Sequence, residues 1–151
     1  MLLGGCIVRR YFQSGALLIA AALLIQLPVN SETKSDGADA TAAETCAKKW
    51  LSVIDSGNYA EGWQQGATIL RTAVPKNQFE LQLKSVRGAF GKVLNRSVMS
   101  KQVTTTAPGA PDGKYVIIQY QTKFQKKANA IETITPMKEG SSWKVSGYYI
   151  K

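Results

Sequence analysis

Arg87, Arg96 and Glu132 are the charged residues of this chain best placed to do chemistry. Each falls in a different predicted element, so two guanidiniums and one carboxylate could meet inside one fold. A guanidinium offers its donors as a fork and grips a carboxylate or phosphate by two parallel hydrogen bonds. With Tyr120 or Tyr148 adding a hydroxyl, the group would clamp an anionic small ligand. The same residues would also make an Arg–Glu bridge joining helix to sheet, every charge satisfied internally. That structural reading takes precedence, because structural ion-pair networks also bury and perturb charges. Acid–base catalysis by Glu132 would need a raised carboxylate pKa, and neighbouring arginines depress it.

The composition removes most other reactions. There is no histidine, which excludes Ser-His-Asp and Cys-His nucleophile systems and a histidine-based zinc site. Gly88 and Gly91 close a helix and lack the Lys-Ser/Thr of a phosphate-binding loop. The expectation is no catalytic residue, no metal and no cofactor. Asp55, just before Gly57, would satisfy local backbone or pair with a neighbouring cation. Trp50, Trp63 and Trp143 could stack a ligand, but they lie on apolar stripes and read as core. Asp112-Gly113 has a single carboxylate and reads as a turn with Gly113 at positive φ.

The N-terminus has the pattern of an export signal. Arg9 and Arg10 precede an apolar run over Ala16–Ile25, and Val29-Asn30-Ser31 offers small residues for cleavage after Ser31. The run is shorter than the ~20 residues that span a bilayer, so a cleaved signal over residues 1–31 is favoured over an uncleaved inner-membrane anchor. Residues 32–42 are polar and small and read as a flexible linker, and residues 43–151 form the domain, with Cys46 as its one cysteine. The 19 basic and 10 acidic residues give a net charge of +9. Such a surface favours anionic neighbours, here an anionic small ligand or an envelope component. The lysines are too scattered for a nucleic-acid footprint. Membrane contact is expected only through an uncleaved signal.

The elements that must position these side chains follow from periodicity. Ala43, Cys46, Ala47, Trp50, Leu51 and Ile54 make a helical stripe that Asp55-Ser56-Gly57 stops, Gly57 suiting a left-handed cap. Asn58 and Glu61 have capping-box spacing for a second helix carrying Tyr59, Trp63, Gly66, Ala67 and Leu70 on its buried side. A third opens near Pro75, with Phe79, Leu83, Val86 and Phe90 as its stripe, and ends at Gly91. From Leu94 the period becomes two. Strands are predicted over 96–103, 115–124 and from 131 to 137, where Pro136 should impose a bulge, bend or unpaired edge. The last strand places Trp143, Val145 and Tyr149 on one side. Three helices followed by an antiparallel meander predict an α+β fold, helices packed on a curved four-stranded sheet.

Several of these residues carry a family resemblance: Trp50, Asp55, Tyr59, Trp63, Arg87, Gly91, Arg96, the P-G-A-P-D-G-K-Y segment at 108–115, Tyr120, Phe124, Glu132 and W-K-V-S-G-Y at 143–148. The chain resembles the DUF4019 family of small exported bacterial proteins of unknown function, over nearly all of residues 43–151. Gly62 and Phe79 depart from the pattern, where serine and tryptophan are expected. The resemblance implies no activity. By architecture the domain looks like the cystatin or NTF2-like cone folds, which host binding modules, enzymes and inert assemblies alike. The function expected is therefore a non-enzymatic binding or interaction module of the periplasm or envelope. The alternatives are a cone-fold hydrolase or isomerase using Glu132 and tyrosines, and a structural partner in an envelope assembly.

Overall fold

The stripe that begins at Ala43 is the spine of the domain. Ala43, Ala47, Trp50, Leu51 and Ile54 are all buried on a 22-residue helix, α1, spanning Lys34–Asp55. The computed structural model describes residues 34–151, so the expected signal segment lies outside the described residues. Residues 34–42 are helical, not the flexible linker that their composition suggests. With Gly37, two aspartates, a serine and a threonine beside three alanines, the segment is a weak helix former by itself, and tertiary contact secures it. The Asp39 carboxylate accepts from Lys114 and, at 3.3 Å, from Lys138. The Lys114 hydrogen bond, opposed by partial burial, holds the Asp39 carboxyl below its ordinary value. From Asp39 to Asp55 a helix rises about 24 Å, close to the roughly 27 Å that a strand covers from Lys114 to Thr122. Its two ends can therefore be pinned to opposite ends of the sheet.

Where one helix was expected after Gly57, there are two: α2, Tyr59–Gln65, and α3, Thr68–Ala73. Gly66 and Ala67 between them are extended. The Ala67 N–H donates to the Val145 carbonyl at 2.8 Å, a sheet contact that outcompetes the helical bond. The expected capping box does not form: Asn58 makes no side-chain cap bond, and Glu61 accepts from Gln65 at 2.8 Å instead. A Cβ on Gly66 would lie 2.7 Å from Leu70 Cδ2 and 3.1 Å from the Trp63 carbonyl. Gly66→Ala is expected to cost about 1–3 kcal/mol by overpacking, read as a lower urea midpoint. An unchanged midpoint would show that the joint has room.

Helix α4, Lys76–Phe90, follows Pro75, which occupies its N-cap and not its first turn. Its buried face is Phe79, Leu83 and Arg87, not the predicted stripe through Val86, which is exposed. Spacing of four residues continues through Arg87, and an apolar position has been replaced by a charge. Gly91 ends the helix as expected, with its N–H on the Arg87 carbonyl.

Four antiparallel strands follow, in the order β1-β2-β3-β4: Val93–Thr104, Tyr115–Phe124, Ala130–Glu139 and Ser142–Ile150. The face packed on α1 carries Val116, Ile118, Tyr120, Thr122 and Phe124 from β2 and Ala130, Glu132, Ile134 and Pro136 from β3, all buried. The register skips one residue opposite Thr135 and Pro136, as the proline predicted, and the extra residue is Ser146 of β4. A bulge shifts the alternation by one. Val145 therefore pairs with Pro136 and Tyr148 with Ile134 on the same inward face, while Tyr149 turns outward and is 62% exposed. The expected grouping of Tyr149 with Trp143 and Val145 is thus corrected by the bulge. A second skip, at Leu94 in β1, sets Arg96 opposite the buried Thr122. In the β1–β2 connection the left-handed residue is Gly109, not Gly113. Gly113 instead donates its N–H to the Thr105 carbonyl at 2.9 Å.

Candidate functional site

Six elements deliver one polar side chain each to a single point at the end of the sheet. Asp55 closes α1, and the left-handed Gly57 behind it turns the chain away. Arg87 comes from the last turn of α4, Arg96 from β1, Thr122 from β2, Glu132 from β3 and Tyr148 from β4.

Glu132 is the centre. It is fully buried and accepts five hydrogen bonds. Arg96 reaches it through Nε at 2.6 Å and Nη2 at 3.1 Å, and Arg87 through Nη1 at 3.4 Å. The Thr122 and Tyr148 hydroxyls donate the other two. Tyr148 also accepts from Arg87 Nη1 at 3.3 Å. Asp55 bridges the two guanidiniums: Arg96 Nη1 and Nη2 donate to it at 2.7 and 3.0 Å, and Arg87 Nη2 donates to its Oδ1. Two cations and two anions balance. Side-chain exposure grades outward, from 0% at Glu132 and 6% at Arg87 to 15% at Arg96 and 27% at Asp55.

The surroundings fix protonation. Burial penalises the Arg96 cation, yet hydrogen bonds and charge from Asp55 and Glu132 outweigh that and hold its pKa above the ordinary value. Burial, reinforced by the Glu132 charge, raises the Tyr148 phenol, so it remains a donor at neutral pH. Packing fixes geometry. The Trp50 ring meets Tyr148 edge-on at 5.3 Å, and the Arg87 guanidinium lies 5.0 Å from the centre of the Phe124 ring.

Arg87, Arg96, Glu132 and Tyr148, all candidates from sequence, are therefore brought together. Tyr120 sits beside them, facing inward opposite Glu132 in the ladder, but outside the hydrogen-bonded cluster. Its buried hydroxyl has no partner among the described residues. Burial, then the Glu44 charge, push its pKa up to about 12. Of the cluster's other two members, Thr122 had no role assigned from sequence, and Asp55 was expected to satisfy local backbone or pair with a neighbouring cation. Thr122 was legible in principle, since it alternates in phase with Tyr120 and Phe124. Asp55 pairs with cations 32 and 41 residues away, which no local pattern reveals. Among the described residues no group of three or more His, Cys, Asp or Glu side chains could hold a metal ion.

The outer side of the cluster opens on a groove of about 920 Å³ lined by Asp55, Tyr59, Leu81, Lys84, Lys92 and Lys126, together with Arg87. Asp55 is committed to the two arginines, and Glu80, also in the lining, pairs with Lys76 at 3.9 Å. Lys84 and Lys92 form no ion pair among the described residues, and Lys126 Nζ donates only to the Gly88 carbonyl, at 3.2 Å. The groove is therefore electropositive.

Fold and site together define a small α+β domain, with four helices, a four-stranded antiparallel meander, and a buried Arg–carboxylate network tying the two. The chain belongs to the family described as protein of unknown function DUF4019, whose profile matches residues 46–148. No curated protein matches the chain. Among the described residues no helix is long and apolar enough to cross a membrane.

Proposed function

We propose that this protein is an exported, non-catalytic binding module of the cell envelope, and that its ligand is an anion held in the lysine-rimmed groove over Asp55 and Arg87. One observation carries this reading: every acid lining the groove is already paired, while Lys84, Lys92 and Lys126 keep their charge for a ligand. Glu132 argues against the hydrolase or isomerase alternative. A carboxylate offers about four lone-pair sites, and five donors already occupy this one, leaving nothing to take a substrate proton. Arg87, Arg96, Glu132 and Tyr148 accordingly form the structural floor of the site, with Arg87 nearest the ligand. Export rests on the N-terminal sequence pattern, and kinship with the cystatin or NTF2-like cones on a long helix lying across a bulged meander.

The test is binding of an acidic polymer such as inorganic polyphosphate to the protein and to a Lys84→Glu/Lys92→Glu/Lys126→Glu variant. The variant should bind at least about tenfold more weakly, a difference of ~1.4 kcal/mol, with an unchanged melting temperature. Added salt should weaken the unaltered protein most. Equal binding by both would remove the groove from consideration. A second reading, a structural partner in an envelope assembly, is favoured by the β1 edge strand, where the bulge residues Leu94 and Met99 are exposed.

A further inference from the structure

The two carboxylates of the buried network are held in different ways. Glu132 is locked by two guanidiniums and two hydroxyls and has no exposed surface. Among the described residues the Asp55 carboxylate accepts from guanidinium donors alone, and it lines the groove. It is the last residue of α1, and the chain turns at Ser56-Gly57 immediately behind it. Only one of the two anions can therefore be exchanged without dismantling the sheet.

We infer that Asp55 occupies the place of a ligand's anionic head: a carboxylate or phosphate entering the groove displaces it and is gripped by Arg87 Nη2 and by Nη1 and Nη2 of Arg96. The inference rests on the proposed reading of the groove, which it deepens by naming the contact point. Three donors now spent on one carboxylate present the forked geometry that suits a carboxylate or phosphate. Exchange of one anion for another leaves the two guanidiniums neutralised in both end states, and the displaced Asp55, already 27% exposed, carries its charge toward solvent. Lys84, Lys92 and Lys126 raise the local concentration of the incoming anion. Asp55 acts as an internal competitor. The apparent affinity of the unaltered protein is reduced by the fraction of time the arginines are vacant, which selects for ligands whose remaining contacts with the groove compensate.

The test is calorimetric titration with inorganic phosphate at constant ionic strength, on the unaltered protein and on Asp55→Ala. Asp55→Asn serves as a second variant that keeps the side chain's volume without its charge. Asp55→Ala should bind phosphate at least about tenfold more tightly than the unaltered protein, and phosphate should recover most of the melting temperature that the substitution loses. If Asp55→Ala does not fold, Asp55→Asn carries the same comparison. A folded Asp55 variant that binds phosphate no better than the unaltered protein overturns the exchange. Loss of polyphosphate binding in the lysine variant, with no gain of phosphate affinity in the Asp55 variants, leaves the groove standing and removes the exchange. A gain in the Asp55 variants with intact polyphosphate binding in the lysine variant supports the exchange and removes the lysine rim.

Discussion

Glu132→Ala is expected to lower the stability of the domain by about 3–5 kcal/mol, the usual effect of removing one partner from a buried ion pair. The carboxylate has no exposed surface, and a water filling its place would bring no charge to neutralise the two guanidiniums. Its loss leaves Arg87 and Arg96 to share Asp55 alone and strips the Thr122 and Tyr148 hydroxyls of their acceptor. Against a typical domain stability of about 5–15 kcal/mol, that is a substantial share of the total. Urea denaturation measures it directly. A paired substitution, Glu132→Leu with Arg96→Met, should cost less than Glu132→Ala alone, since removing charges together spares an uncompensated one. A loss under about 1 kcal/mol for Glu132→Ala would mean that the network is solvated and not structural.

Trp50→Ala should be comparably damaging, at about 3–5 kcal/mol. The indole is 2% exposed at the centre of the core. It meets Phe79 and Tyr148 edge-on, at 6.3 and 5.3 Å between ring centres, and its Nε1–H donates to the Gly62 carbonyl at 2.7 Å. Truncation opens a cavity large enough for α2 and the sheet to lose their common contact. Trp50→Phe keeps most of the volume and drops the donor, so it should cost about 1–3 kcal/mol for the orphaned carbonyl. Because Trp50 braces Tyr148, Trp50→Ala and Tyr148→Phe should be non-additive in a double-mutant cycle. Strict additivity would separate the core from the network.

Much of the fold was legible along the chain. The α1 stripe, the meander and the Pro136 irregularity all follow from periodicity and from the missing proline donor. What escaped was set by contacts across the fold. The 34–42 segment is helical partly because Asp39 meets Lys114 and Lys138, 75 and 99 residues away. The second helix breaks at Gly66 because Val145 offers Ala67 an acceptor. Val86 and Arg87 exchange roles for a similar reason. A buried arginine violates apolar patterning and is tolerated only where carboxylates meet it.

Four of the candidate site residues were legible because polar groups stand out against apolar alternation: the charged Arg87, Arg96 and Glu132 and the hydroxyl of Tyr148. The sequence alone determined that this chain has no histidine chemistry, that its second half is an antiparallel sheet and that two arginines and a carboxylate fall in different elements that could meet. Those are matters of composition and short-range period. The tertiary structure decided that Tyr148 and not Tyr149 turns inward, because a single bulge residue, Ser146, shifts the alternation of β4. It decided as well that Asp55 is the second anion of the network. Convergence of six elements on one point is set by packing, and charge balance between residues dozens of positions apart leaves no mark on either one's neighbours in the chain.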